Sequence, residues 1–461
     1  MLAGTSIVRA RHPFELEWME GGMLDHVRWI LTGHALYGPP SLDFTPFIYP
    51  PLFVYVAAGV AALAGISFLA IRIVSLIATM ACLGLLFELT RRETGSRLAG
   101  LTAAGTFAAC YGLTGFWLDI GRVDALMLAF LLASASLIDR SPAAAALLGA
   151  LAFFTKQTAL LPSIVLAIPV ARRRASLARY ALVYAALSLG GTVLLDALHG
   201  GWYRFYVFHL PAGHRRSYAA LWAFVPELLV RFTPTAAAGA ADVRRRDPTA
   251  RPGVLLPLAL GFVATSWLSL VKAGRFANLY IPACAGLAML LGAFVARAAR
   301  APGTREAGVL ALAVLQLAVL AYDPRRAVPA ERDRQAGDAM VRAIGAMHGD
   351  VFVPFHGALG PMAGKPAHAH LASLIDVASG DRGGAVQTAL DREVVEALRS
   401  HRWDAIVLDD PWLLWEIEKY YRKQGDVESV VKELDDPAVF RPITGRPVRP
   451  RTIYTPREAG R

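Results

Sequence analysis

Charge is scarce in this chain. Only 18% of its 461 residues are Asp, Glu, Lys or Arg, and 55% are hydrophobic; an ordinary soluble domain carries more charge. Cysteine is nearly absent. Cys82, Cys110 and Cys284 lie in apolar runs, and an odd, scattered set supplies neither a disulfide framework nor a metal-ligand spacing. They read as small core residues. Residues 1–20 do not read as a cleavable signal, because Arg9, Arg11 and Pro13 interrupt them before an apolar core can build. A nucleotide fingerprint is missing as well. Gly360-Pro361-Met362-Ala363-Gly364-Lys365-Pro366 has Leu359 where a phosphate loop needs its first glycine. It also has Pro366 where a hydroxyl would meet magnesium. That argues against a pump driven directly by ATP. His368-Ala369-His370 has no further ligands nearby and reads as a surface loop.

What the chain has instead is repeated apolar runs of roughly 17 to 22 residues, each long enough to cross a hydrocarbon core of about 30 Å. They are too long and unbroken for barrel strands, so the sequence predicts a polytopic α-helical membrane protein. The net charge of +11 sits largely in short Arg-rich loops. That pattern fits membrane orientation, not nucleic-acid binding. Arg91-Arg92, Arg140, Arg172–Arg174, Arg244–Arg246 and Arg297–Arg305 are expected in the cytoplasm. They alternate with Asp119–Asp124, Lys156, Asp196–Tyr218 and Lys272–Arg275, which then face outward. About ten membrane helices follow: 71–90, 98–117, 124–139, 142–155, 158–171, 180–197, 219–240, 253–271, 276–296 and 306–322. The pair meeting at Lys156-Gln157 is short for a crossing, as in helices that line a polar cavity. Glu20–Leu36 reads as an amphipathic helix on the outer leaflet, and Leu52–Leu69 as a bent, shallow element after Tyr49-Pro50-Pro51. Three regions result: an external loop with juxtamembrane helices (1–70), a membrane domain (71–322) and a small extracytoplasmic α/β domain (323–461). In the last, 334–347, 394–402 and 412–423 are expected as helices, and 350–355 and 405–408 as strands.

The charged interruptions carry the functional reading. Trp117-Leu118-Asp119-Ile120-Gly121-Arg122-Val123-Asp124 places three charges between two apolar runs, and ionised groups near a bilayer are rarely accidental. Arg122, Lys156 and Arg275, with Gln157 and Asn278 beside them, would form a cationic outer cavity suited to an anionic headgroup. The loop from His199 to Arg216, with Trp202 and Arg204, mixes aromatics and cations. It suits sugar or phosphate binding as well as an interfacial aromatic belt.

Glu20-Gly21-Gly22, Gly33…Leu36-Tyr37, Tyr49-Pro50-Pro51-Leu52-Phe53, Arg72-Ile73-Val74-Ser75, Gly121-Arg122-Val123-Asp124-Ala125 and Leu151…Phe154-Thr155-Lys156-Gln157 occur in that order. The series resembles the bacterial members of the dolichyl-phosphate-mannose–protein mannosyltransferase superfamily. These are family 39 type, C-fold (GT-C) glycosyltransferases, related to the aminoarabinose and galacturonosyl transferases of lipid A and core oligosaccharide. The resemblance implies transfer of a hexose or pentose from a polyprenyl-phosphate donor to a lipid-linked, glycan or protein acceptor, with the active site on the outer face of the bacterial cytoplasmic membrane. It implies contact with membrane lipids and none with nucleic acid. It calls for no certain cofactor and leaves room for a divalent cation, though no metal ligand is assigned. The family's first acidic motif falls on Glu20, with Asp25 as alternative base, and its second on Asp124, with Asp119 close by. Its lysine near the carrier phosphate falls on Lys156. The family begins with a membrane helix before the acidic loop, which is not found here, so the start lies upstream or the copy is a truncated scaffold without activity. A secondary transporter or lipid flippase is the competing class. It would share membrane carboxylates and broken helices, but the chain lacks the internal repeat such proteins usually carry.

Overall fold

The computed structural model describes residues 1–243, 253–271, 276–300, 303–410 and 416–457. The chain opens with a short helix, α1 (Leu2–Ala10), and α2 (Glu20–Leu31), most of which is buried despite its charges. Next comes α3 (Leu52–Ala64), whose 13 residues reach only about 20 Å and cannot cross a hydrocarbon core. Then follow α4 (Phe68–Thr94), α5 (Arg97–Ala109), α6 (Val123–Leu137), α7 (Pro142–Thr155), the single turn and a half of α8 (Leu160–Val165), and α9 (Arg174–Leu198). Hydroxyl caps set several of these starts. Ser67, Ser96 and Ser141 accept from the backbone N–H three residues on, opening α4, α5 and α7. Gly95, at φ +74°, closes α4 in the left-handed conformation.

The remaining membrane-domain helices are α10 (Ala219–Arg231), α11 (Thr233–Val243), α12 (Leu255–Ser269), α13 (Ile281–Ala299) and α14 (Thr304–Val319). Their core is a bundle in which α4 packs on α5 and α6, α6 on α7, and α13 on α5 and α12. Among the described residues, three helical segments are by themselves long and apolar enough to cross a membrane: Phe68–Thr94, Arg174–Leu198 and Ala277–Ala299. Of the other expected spans, 124–139, 142–155, 253–271 and 306–322 are each a single helix, α6, α7, α12 and α14, and 98–117, 158–171 and 219–240 are cut short or broken. In the run 98–117 the helix stops at Ala109, and the chain turns further on at Gly115 and Phe116, both at positive φ. α7 ends at Thr155 and Lys156 is extended (φ −154°, ψ 124°), so the break falls at the expected junction of 142–155 with 158–171, and of the latter only Leu160–Val165 is α-helical. The run 219–240 breaks at Phe232. α9 is mostly outside the core, with Leu182, Leu189, Val193 and Leu198 exposed, as a lipid-facing helix requires.

One end of the bundle gathers the polar groups. The starts of α4, α6 and α13 and the end of α7 carry Arg72, Asp124, Asn278 and Lys156 nearby. The opposite ends carry Arg91 and Arg92 on α4 and Arg297 on α13.

The C-terminal residues form a four-stranded mixed sheet, β1 (Val351–Phe352), β2 (Ala405–Leu408), β3 (Tyr421–Asp426) and β4 (Thr452–Pro456), in the order β1-β2-β4-β3. β1 runs parallel to β2, and β4 is antiparallel to both its neighbours. Helices Glu331–Ala346, Leu371–Gly380 and Ala385–Arg399 accompany it. The helix expected at 412–423 is corrected: Ile417–Tyr420 makes one turn and Tyr421 then begins β3, pairing with β4 in a way that local periodicity does not signal. Residues 411–415 lie outside the described residues. This region is seated on the first loop. Glu17 forms a parallel bridge with Thr444, Thr444 N donates to Leu16 O at 2.9 Å, and Ala369 N donates to Leu42 O at 2.9 Å.

Candidate active site

Arg72, fully buried near the start of α4, organises the first loop. Its guanidinium donates to Glu20 Oε1 (3.0 Å) and Oε2 (2.7 Å), and to the carbonyls of His12 and Phe14 (both 2.6 Å). Glu20 also accepts from Leu16 N (2.8 Å) and Gly121 N (2.7 Å). Burial would raise its pKa, but Arg72 and these N–H groups hold the carboxyl below its ordinary value. Both oxygens are saturated, so Glu20 is a strut joining the first loop to the Gly121 turn.

Glu17, three residues earlier, is different. It is fully buried; its Oε2 meets Arg122 Nη1 at 3.2 Å, and its Oε1 has no hydrogen-bond partner. Burial pushes its pKa up to about 8, with Arg122 opposing only in part. Arg122 stands immediately before α6, donates to the Tyr49 hydroxyl at 2.9 Å, and lies over the rings of Phe47, Tyr49 and Trp117. Its Nε has no partner. In the first turn of α6, Asp124 accepts from Lys156 Nζ at 2.6 Å and from Asn278 Nδ2 at 3.2 Å. Gln157, next along, donates to the carbonyls of Ile48 (3.0 Å) and Val207 (3.3 Å).

The fold thus brings Glu20, Arg122, Asp124, Lys156, Gln157 and Asn278 to one end of the bundle. The expected cationic cavity is corrected. Arg122 is paired with Glu17 and Lys156 with Asp124, and Lys156 is only 8% exposed. Each of the two buried cations thus has a carboxyl partner, which lowers the cost of burying it. Asp119 turns away to Arg9 Nε at 2.9 Å and the Tyr111 hydroxyl at 2.6 Å. That pair ties α1 to the turn after α5. Asp25 pairs with Arg28 and leaves its Oδ2 unpartnered against Gly357, and burial raises its carboxyl well above the ordinary value. It faces the C-terminal sheet region and does not touch Arg122 or Lys156. Trp202 packs on Phe205, and the Arg204 backbone N–H and guanidinium turn to Asp196. Arg275 lies outside the described residues.

Three groups escape a reading of the sequence alone: Glu17, Tyr49 as a hydrogen-bond partner, and Arg72 as the clamp. The signal that could have found Glu17 is the run Glu15-Leu16-Glu17-Trp18-Met19-Glu20, three carboxylates in six residues that cannot all stay buried without distinct partners. A second buried cluster also went unseen. His356 Nδ1 meets Glu15 Oε2 at 2.7 Å, and its Nε2 meets Asp409 Oδ2 at 3.3 Å. Burial would lower its pKa, but Asp409 and Glu15 raise it to about 10. Among the described residues no group of His, Cys, Asp and Glu is disposed to hold a metal ion.

Residues 49–195 match the family model described as dolichyl-phosphate-mannose-protein mannosyltransferase. No curated protein sequence matches the chain. Two solved structures are similar over nearly its whole length. ArnT from Cupriavidus metallidurans bound to undecaprenyl phosphate is 14% identical and gives a TM-score of 0.59, over 98% of this chain and 97% of that one. The same protein in the apo state is 13% identical and gives 0.62, over 97% and 94%. The resemblance read from the ordered motifs is borne out by the family match, and the chain shares the polytopic helical fold of these two structures.

Proposed function

We propose that this chain is a glycosyltransferase that takes a sugar from a polyprenyl-phosphate carrier and passes it to a hydroxyl of a lipid, glycan or protein acceptor, at the outer face of the cytoplasmic membrane. The observation that carries the reading is Glu17. A buried carboxylate with one free oxygen and a raised pKa sits beside an arginine and within the same bundle end as the Asp124–Lys156 pair. The family match over 49–195, which includes Tyr49, Arg72, Arg122, Asp124 and Lys156, supports it, as does the undecaprenyl phosphate held by one of the similar structures.

In this reading Glu17, rather than Glu20 or Asp25, accepts the proton of the attacking hydroxyl. A carboxylate whose oxygens already take four hydrogen bonds has no lone pair to spare, whereas Glu17 Oε1 does. As the sugar–phosphate bond breaks with oxocarbenium character, charge grows on the departing lipid phosphate. Lys156 and Arg122 are the cations at hand, and they stabilise that charge as it develops. Arg122, with its unpartnered Nε, offers a planar fork, and Lys156 a point charge. Asp124 and Asn278 hold Lys156 in register. Trp202 and Arg204 border the outer loop that the acceptor would cross.

The test is purified full-length protein with a polyprenyl-phosphate sugar and a candidate acceptor. Wild type transfers the sugar, and Glu17→Gln slows transfer by about 10²-fold or more. Unchanged transfer in Glu17→Gln rejects the assignment of the base. Proton-coupled solute uptake into liposomes with no transfer replaces the reading with a transporter.

A further inference from the structure

His26 is buried in α2, and its two ring nitrogens have opposite partners. Nδ1 lies 2.6 Å from the Gly22 carbonyl, which can only accept, and Nε2 lies 2.7 Å from the Phe47 N–H, which can only donate. The ring therefore carries its proton on Nδ1 and is neutral. Burial lowers its pKa to about 4, with Arg122 acting in the same direction, so this form persists at neutral pH. The imidazole also stacks on the Phe47 ring, with centroids 4.5 Å apart and planes at 23°, and Phe44 meets it edge-on at 4.9 Å. Gly22 allows this close approach, since a Cβ there would stand 2.5 Å from Phe47 Cζ. Phe47 opens a segment, Phe47-Ile48-Tyr49, that lies in neither helix nor strand. Each of its residues touches the candidate site. The Phe47 ring centre is 6.0 Å from Arg122 Cζ, the Ile48 carbonyl accepts from Gln157 at 3.0 Å, and the Tyr49 hydroxyl accepts from Arg122 at 2.9 Å. With no regular structure to fix it, the segment depends on its anchors: the His26 acceptor at one end, and the Tyr37 hydroxyl, which donates to the Tyr49 carbonyl at 2.6 Å, at the other.

We propose that His26 is a positioning residue for the phosphate-binding side of the site: by accepting from the Phe47 N–H it fixes Phe47–Tyr49 against Arg122 and Gln157, and so sets the cation that meets the carrier phosphate. The identity of the phosphate rests on the transferase reading; the joint between α2 and the segment does not. His26 touches no substrate in this role and acts through Phe47 and Tyr49. A packing role alone would use the volume of the ring and not the acceptor on Nε2. Two conservative variants separate these demands. Asn places its amide near Nδ1, which keeps the bond to Gly22 and loses the one from Phe47. Gln carries its amide oxygen out to the Nε2 position, which keeps the bond from Phe47 and loses the one to Gly22. Both variants lose the ring.

The experiment titrates undecaprenyl phosphate into the full-length protein in detergent at pH 7, reads the bound lipid by native mass spectrometry, and follows hydrogen exchange of the peptide containing Phe47. Both variants should lower the thermal midpoint, since each loses the ring and one hydrogen bond. Binding should separate them. His26→Gln should bind close to wild type, and His26→Asn about tenfold more weakly. The Phe47 amide should exchange about tenfold faster in His26→Asn than in His26→Gln. Where transfer is measurable, the loss in His26→Asn should fall on kcat/KM for the donor and leave the acceptor KM unchanged. Equal binding by the two variants, whether both match wild type or both are weakened, overturns the proposal, as does equal exchange at Phe47. A wild type that does not bind undecaprenyl phosphate overturns this proposal and the transferase reading together. The expected binding pattern in a protein that transfers no sugar overturns the transferase reading alone and leaves the positioning role of His26 standing.

Discussion

Two glutamates three residues apart have opposite environments, and the difference decides their chemistry. Glu20 has an arginine and two backbone N–H groups; Glu17 has one arginine on one oxygen and nothing on the other. Because the Glu17 pKa is raised from 4.5 to about 8, it becomes a competent base only as pH climbs through that value. The rate of transfer should therefore increase with pH along a single limb centred near pH 8, and that limb should vanish in Glu17→Gln. A limb near the ordinary carboxylate value would contradict the assignment. Glu20→Gln should act differently. It leaves Arg72 buried against a neutral partner, and breaking such a pair costs about 3–5 kcal/mol, so the expected loss is in thermal stability. His356 makes a second case. Its folded pKa is raised from 6.5 to about 10, so its contribution is complete below pH 6.5 and is lost as pH rises through 10. His356→Phe would strand Glu15 and Asp409 and should lower the unfolding midpoint at pH 7 in detergent. An unchanged midpoint would show that the cluster contributes nothing. Arg122, Asp124 and Lys156 were legible in the sequence because each interrupts an apolar run, and Glu20 through the resemblance to the family's acidic motif. Glu17 was not, because what singles it out is an absent partner, and that depends on where Gly121 and Arg72 arrive from elsewhere in the chain.

At the level of elements, the site works because short helices end where charge is needed. α7 stops at Lys156, and α6 begins at Val123 with Asp124 in its first turn. The helix–helix contact between α6 and α7 then brings Lys156 Nζ to Asp124. The apolar periodicity made these helices readable, and the charged break at Lys156-Gln157 marked their junction correctly. The stops of α5 at Ala109 and of α10 at Arg231 were not readable, since the runs continue apolar beyond them and the chain turns for reasons of packing. The same limit explains β3, which exists only because β4 lies beside it. The coupling across α6 and α7 is measurable. Lys156→Met leaves Asp124 buried with Asn278 alone, and Asp124→Asn leaves Lys156 buried without a counter-charge. Each should destabilise, and the double variant should cost less than the sum, with a coupling of roughly 0.5–3 kcal/mol in a thermal-denaturation cycle. Strict additivity would mean the two do not interact. Lys156→Met should in addition raise the KM for the donor, as loss of a phosphate-binding charge would.

For the whole molecule, the distribution of charge is an argument about sidedness. The polar cluster, the first loop and the C-terminal sheet region all meet at the end of the bundle where α4, α6 and α13 begin. The other end of α4 bears Arg91 and Arg92, and that of α13 bears Arg297. Short basic loops stay in the cytoplasm, so the cluster and the sheet region should lie outside, where a lipid-linked sugar would be consumed. The native cysteines are all buried, which leaves a quiet background for labelling. Val430→Cys places a thiol on the sheet region at a residue 58% exposed, and Arg92→Cys places one at the basic end of α4, where Arg92 is exposed. In intact cells with a permeable outer barrier, a membrane-impermeant maleimide should modify the first and spare the second until the cytoplasmic membrane is broken. The reverse pattern would turn the bundle over. Glu17, Arg122 and Lys156 would then face the cytoplasm, and transfer at the outer leaflet would be excluded.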